Sequence, residues 1–292
     1  MQLYEATDLQ LPSFAAEAFL NAVFGRNPMR VAAAIFAASV VVTATAQDWR
    51  GQCSPAEPGL FPLPRPLHVS YRFGWSALTA ATAQAGLSRT EAGLLRLDVK
   101  GKTVGAARLL WRMDAKVTSL CQPATLRPVS DAFTEVYGDE TRKTKVDYDD
   151  AGATRTRWTK GGERAKTKRF DLPNLFDLPT ALLWLRSQRL EAGDTHRCAI
   201  YPDSTAYVAE MEVAGKERIA VAGKRYDTIK VALRLREVNR KRELAPHDKF
   251  KRAFGWFSDD NDRLLLKVVA EVFIGSVWME LTKVEFDRSS GQ

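Results

Sequence analysis

Cysteine and histidine are scarce, with three of each in a chain of 292 residues. That is too few for a disulfide scaffold, and His68, His196 and His247 lie far apart with no metal-ligand spacing. No Cys-x-x-Cys pair, no Gly-x-Ser-x-Gly elbow and no glycine-rich phosphate loop occurs, so the local motifs of redox, hydrolase and nucleotide sites are missing. Nothing in the sequence calls for a metal or a cofactor. Acidic residues are outnumbered, 35 against 43 Lys and Arg, and the net charge of +8 directs any charged partner toward anions. No apolar run reaches the roughly 20 residues of a membrane-spanning helix. With 45% hydrophobic residues and only 13 Pro and 18 Gly, low complexity and wholesale disorder are excluded too. What remains is an ordinary globular chain, long enough for a large core.

The strongest local signal lies near the N-terminus. Met29-Arg30 precedes an apolar run from Val31 to Val42, followed by Thr43-Ala44-Thr45-Ala46. A basic start, a short apolar stretch and an A-x-A end make a secretory signal peptide, read here as residues 29–46 with cleavage between Ala46 and Gln47. Residues 1–28 carry Glu5, Asp8 and Glu17 and make a poor signal start, so the reading places true initiation at Met29. An uncleaved anchor is the alternative, but Val31 to Ala46 is too short to span a bilayer. Cys53 lacks the small apolar residues that a lipoprotein signal places before its cysteine. The mature chain is thus expected in the periplasm, with no transmembrane span. An oxidising compartment permits one disulfide with a thiol left over, and Cys121–Cys198, both in strand-like segments, is the favoured pair.

Residues 47–66 hold five prolines and read as an extended leader. From Leu67 to about residue 286 one β-rich domain follows, before a tail at 287–292. Val69, Tyr71, Phe73 and Trp75 alternate with smaller or polar residues, the period of a half-buried strand. The same alternation recurs at 95–99, 117–121, 133–137, 146–148, 154–158, 167–169, 207–213, 229–235, 266–273 and 277–281. Turns are expected at Gly101-Lys102, Asp150-Ala151-Gly152, Gly161-Gly162, Ala214-Gly215 and Ala222-Gly223. A short helix is read over Thr103–Arg112 and a firmer one from the Asp177 cap, with Pro179 in its first turn and Leu178, Leu182 and Leu185 as its stripe. Many strands without a βαβ rhythm predict a mainly β fold: a single antiparallel, strongly curled or barrel-like sheet with one or two short helices packed against it.

Several motifs keep a fixed order: Asp177-Leu178-Pro179-Thr180-Ala181-Leu182-Leu183-Trp184-Leu185-Arg186, then Gly193-Asp194, then Gly223-Lys224-Arg225-Tyr226, then Trp256-Phe257-Ser258-Asp259-Asp260 with Arg263 and Lys267, and finally Phe273-Ile274-Gly275-Ser276-Val277. In these motifs the stretch from about 67 to 285 resembles the exported bacterial proteins grouped as domain of unknown function 3108. The resemblance implies a cell-envelope location and a barrel-like β fold with a helix packed against it. It implies no agreed activity and no catalytic residues. One departure is Leu264-Leu265-Leu266, where the family carries a proline.

Ser258-Asp259-Asp260-Asn261-Asp262 has the oxygen ligands of a Ca²⁺ loop but lacks the glycine and glutamate such a loop needs, so a turn is the simpler reading. Asp177 is accounted for as a helix cap rather than an acid. Between Thr141 and Arg169 ten Lys/Arg face four acids. Lys143, Lys145, Arg155 and Arg157 there, with Arg234 and Arg236 further on, are candidates for a face toward an anionic envelope component; otherwise they are a solvated surface. Export argues against nucleic acid. The expectation is a non-catalytic envelope protein that binds or scaffolds an envelope component, either as a carrier of lipid or another apolar ligand in a cavity of several hundred Å³ or, alternatively, as a protein–protein interaction module with a filled core and a basic docking face. An enzyme assembled from distant residues is the third class.

Overall fold

The computed structural model describes residues 49–158, 165–202, 204–239, 241–246, 252–272 and 275–287. The expected signal peptide with its Ala46–Gln47 junction, the Gly161-Gly162 turn, His247, Phe273-Ile274 and residues 288–292 lie outside this set.

The leader opens with one 3-10 turn at Trp49–Gln52 and runs extended to the first strand. The strands are β1 (Leu67–Trp75), β2 (Leu78–Arg89), β3 (Leu95–Thr103), β4 (Met113–Cys121), β5 (Pro128–Tyr137), β6 (Glu140–Asp149), β7 (Gly152–Trp158), β8 (Ala165–Asp171) and β9 (Leu175–Phe176). After them come β10 (Thr195–Ile200), β11 (Ala206–Val221), β12 (Lys224–Val238), β13 (Leu244–Pro246), β14 (Arg252–Ser258), β15 (Leu265–Glu271) and β16 (Ser276–Phe286). Helix α1 (Gly105–Leu110) joins β3 to β4, and α2 (Leu178–Ser187) joins β9 to β10. Both helices fall inside the segments read as helical. Two expected turns do not form: Gly101-Lys102 continues β3, and Gly215 marks a bulge inside β11, where both strands are long enough to carry the chain straight through.

All sixteen strands form one sheet, in the order β8-β7-β6-β5-β4-β3-β2-β1-β16-β15-β14-β12-β11-β10-β9, with β13 paired to β12. Every pairing is antiparallel except that of β9 with β10. The sheet curls without closing, so β8 and β9 remain as its edges.

The register shows how the curl is completed. Side chains directly opposite each other share a face, so Val69, Ala85, Val99, Val117, Phe133, Thr144 and Arg157 all lie on one side, the concave one. Val146 and Ala153 are on the same side of β6 and β7. They pack against Leu175, Ala199, Ala206, Val208 and Val238, which lie on the opposite, convex side of β9–β12. The concave face of one end of the sheet therefore covers the convex face of the other, as in a scroll. Side-chain packing, not a backbone hydrogen-bond ladder, seals this seam.

A larger core lies between α2 and the concave faces of β1–β4 and β10–β16. α2 starts where the sequence placed it. The Asp177 carboxylate accepts from the Thr180 N–H and Oγ1, both at 2.6 Å, and from Ser119 Oγ at 2.5 Å. Burial of this carboxyl raises its pKa, and the three hydrogen bonds only partly offset that.

Candidate apolar ligand site

Register gathers the β1–β2 and β15–β16 turns, α1 and the start of β11 at one end of the scroll. At the other end lie the β2–β3 and β14–β15 turns, together with the C-terminal half of α2 and the leader. Between them, α2 does not fill the concave face. A cavity of about 500 Å³ remains, within the roughly 300–1,000 Å³ usual for small-molecule sites. Its floor is built from β1–β3, where Val69, Tyr71, Ala83, Ala85 and Val99 point inward. Its far wall is β11–β16, with Met211, Leu233, Gly255, Val268 and Met279, and its roof is α2 with Leu178, Leu182 and Leu185.

Small residues make the space. Ala83 and Ala85 on β2, Ala209 on β11, and Ala253 and Gly255 on β14 occupy inward positions that larger side chains would fill. Leu178 and Leu182 on the roof keep 38% and 37% of their surface exposed, which places the opening beside the first half of α2. Lining residues at the other end, including Leu67, Leu87 and Leu185, are buried.

The leader and helix close that inner end. Trp184 Nε1 donates to the Glu57 carbonyl at 3.0 Å, Gly59 N–H to Ser187 Oγ at 2.9 Å and Phe61 N–H to the Ser187 carbonyl at 3.0 Å. Phe61 sits between two guanidinium groups, Arg186 at 4.9 Å and Arg263 at 3.6 Å from its ring centre. Of the forty lining residues these two arginines alone are charged. The polar remainder is Ser204, Thr205, Tyr207 and Tyr71, whose Oη donates to the Leu265 carbonyl at 2.9 Å and whose burial holds the phenol protonated. Among the described residues no carboxylate, histidine or cysteine lines the cavity.

The expected site residues fall elsewhere. Lys143 and Lys145 stand opposite Trp158 and Thr156, whereas Arg155 and Arg157 stand opposite Val146 and Thr144. An antiparallel register thus sends the lysines to the convex face and the arginines to the concave one, and the four do not share a face. Arg234 and Arg236 are exposed on the convex side of β12, with Arg234 3.8 Å from Glu210. Cys121 and Cys198 are both buried, but as thiols, not as the expected bridge. They sit on different strands with different neighbours: Asp177 near Cys121, Cys53 near Cys198, and burial pushes both up to about 12. Ser258–Asp262 leads into the β14–β15 turn, where Asp260 accepts from Ser258 Oγ and from the N–H groups of Asp262 and Arg263.

Sequence reasoning missed a buried polar group beneath the seam. Tyr148 Oη lies 3.1 Å from Asp131 Oδ2 and donates to the Tyr201 carbonyl at 2.9 Å, and burial raises the tyrosine well above its usual range, with Asp131 adding to the effect. None of these residues reaches the cavity, so the group braces the overlap and meets no ligand.

Fold and site together define an open, barrel-like β protein built around an apolar cavity. Residues 69–282 match the family described as protein of unknown function DUF3108, and the chain belongs to that family. Its fold is similar to that of the beta-barrel-like protein of domain of unknown function DUF1849 from Brucella abortus: 9% identity, TM-score 0.51, covering 78% of this chain and all of that one. A protein of Bacteroides fragilis with a YmcC-like fold matches more distantly, at 8% identity and a TM-score of 0.32 over 78% of this chain and 99% of its own. Among curated proteins none matches the chain.

Proposed function

We propose that this protein is a non-catalytic, exported carrier or holder of an apolar ligand of the cell envelope, of the size of a single acyl chain or a comparable hydrophobic molecule. The observation that carries the reading is the cavity: about 500 Å³, lined almost wholly by apolar side chains and open beside Leu178 and Leu182. A water-filled apolar cavity of this size is costly to maintain for stability alone, since filling it would bury further apolar surface. Among the described residues its lining offers no acid–base or nucleophilic pair, which favours binding over chemistry. The export signal at 29–46 supports a periplasmic location.

The test is native mass spectrometry of protein purified from the envelope, with extraction of co-purifying lipid, and titration of the delipidated protein with an apolar fluorescent dye. One ligand per chain, and dye displaced by that ligand, is the expected result. Bare protein that takes up no dye would sink the proposal and return attention to the filled-core interaction module.

A further inference from the structure

The inner end of the cavity is not apolar. Arg186 is buried, with a fractional exposure of 6%, and Arg263 is half-buried beside it. Arg186 gives its guanidinium to backbone carbonyls: Nε and Nη2 to Asp262 O at 3.0 and 2.8 Å, and Nη1 to Pro62 O. Arg263 spends Nη1 on the carbonyls of Arg186 and Gln188 at 2.8 and 2.7 Å. Among the described residues, neither guanidinium has a carboxylate within ion-pair distance. Asp262 sends its carboxylate instead to Arg65 at 2.9 Å, and Asp260 turns its own onto the β14–β15 turn.

Two neighbouring cations without a directly paired carboxylate are costly in a desolvated place, and the more distant Asp259, Asp260, Asp262 and Glu191 offset only part of that cost. Burial first, and then repulsion from Arg263, weaken the hold of Arg186 on its proton to about 10, and the carboxylates of Asp262 and Asp260 only partly oppose them. Carbonyls at the C-terminal end of α2 offset part of the cost. They do not use the Nε and Nη2 donors of Arg263, which make no hydrogen bond to the protein among the described residues. Arg263 is also held at φ 44°, a left-handed backbone that a long side chain adopts at a cost and that here aims it at the inner end.

We infer that the ligand is an anionic amphiphile, a long apolar chain ending in a carboxylate or similar small oxyanion, bound with its charged head at Arg263 and Arg186 and its tail toward Leu178 and Leu182. A carboxylate accepts planar guanidinium donors in pairs, and it would supply the direct partner that the Nε and Nη2 donors of Arg263 do not find among the described residues. The inference rests on the cavity reading above and narrows it to a ligand class.

The experiment compares hexadecanoic acid with its methyl ester, which keeps the chain and removes the charge. Binding of each to the delipidated protein is measured by displacement of the apolar dye at neutral pH. The acid is expected to bind at least tenfold more tightly than the ester. Arg263→Met should abolish that preference, acid and ester then binding alike, with the melting temperature monitored to confirm folding. A second readout needs no variant: the preference of the unaltered protein should vanish as the ligand carboxyl is protonated, near or below about pH 4–5. Equal affinity for acid and ester overturns this inference and leaves the cavity reading standing. Binding of neither overturns both.

Discussion

The curled sheet meets another layer in two places and resolves them in opposite ways. At the seam, the concave face of β5–β8 lies on the convex face of β9–β12, and Val146, Ala153, Ala206 and Tyr201 have no exposed surface. Under α2, the same concave face leaves a cavity of about 500 Å³. Strand geometry is alike in both regions, so side-chain size makes the difference. At the seam Phe133, Tyr148 and Phe170 reach across to the facing layer. Along β2 and β14, alanine and glycine stop short of it. The seam gives the scroll its stability, and the cavity is space kept free of side chains.

Trp184→Ala should have the largest effect. Trp184 is fully buried, packs beside Phe176 at 5.7 Å and lies on the side of α2 away from the cavity. Its truncation removes the helix anchor and the hydrogen bond to the leader, and a loss of about 3–5 kcal/mol in denaturant unfolding is expected. A cost below ~1 kcal/mol would mean that α2 is held by its cavity face after all.

A pair of glycines separates the two regions directly. A Cβ at Gly152, next to the seam residue Ala153, would overlap the Phe170 carbonyl of β8 and come within 3.0 Å of Asp171 Cα, where backbone cannot yield. Gly152→Ala should therefore cost about 3 kcal/mol, the upper end of overpacking. A Cβ at Gly255 meets only Leu265 Cδ1 at 3.6 Å, an ordinary contact facing the cavity. Gly255→Leu should change stability by less than about 1 kcal/mol and weaken dye binding at least tenfold. If Gly255→Leu binds dye normally, the cavity is not where the ligand sits.

Asp177 joins the regions, since it caps α2 and accepts from Ser119 on β4. Asp177→Ala should cost about 1–2 kcal/mol through the lost cap; Asp177→Asn keeps an acceptor and should cost less. The sign of the pH dependence follows from the raised pKa. The folded protein holds this proton more tightly than the unfolded chain, so the ionised carboxylate lowers stability as pH rises above the unfolded value near 4. The deficit of Asp177→Asn relative to the unaltered protein should accordingly shrink between pH 4 and pH 8. A deficit that grows over that range would show that the carboxylate charge is stabilising, contrary to its burial.

These contrasts also explain what the sequence disclosed. Alternation of large and polar residues revealed β1, β4, β11 and β12, and Asp177 with Pro179 marked the start of α2. The strands it did not reveal are informative. β2, with Ala81, Ala83 and Ala85 inward, and β14, with Ala253 and Gly255 inward, lack the bulky residues on which the period-2 signal depends. Those same small residues create the cavity, so the feature that hid the strands is the feature that makes the site. Arg186 and Arg263 appeared only as members of a motif, because their approach across the leader and the β14–β15 turn is a product of the fold. The scroll overlap is not legible either: it pairs a concave face with a convex one, and both read simply as alternating strands.

The smallest effect concerns the thiols. Burial raises Cys121 and Cys198 to about 12, so at pH 8 roughly one molecule in ten thousand carries either as a thiolate. Cys53 is only half-buried. In the folded protein a thiol reagent should therefore modify Cys53 first, with Cys121 and Cys198 following only as the protein unfolds. Labelling in denaturant without reductant then separates the thiol form from the bridge expected for an oxidising compartment. Three modified cysteines match the structure, whereas modification of Cys53 alone would mean that Cys121 and Cys198 join across the core, drawing β4 toward β10 at the back of the cavity, and modification of Cys121 alone would pair Cys198 with its neighbour Cys53.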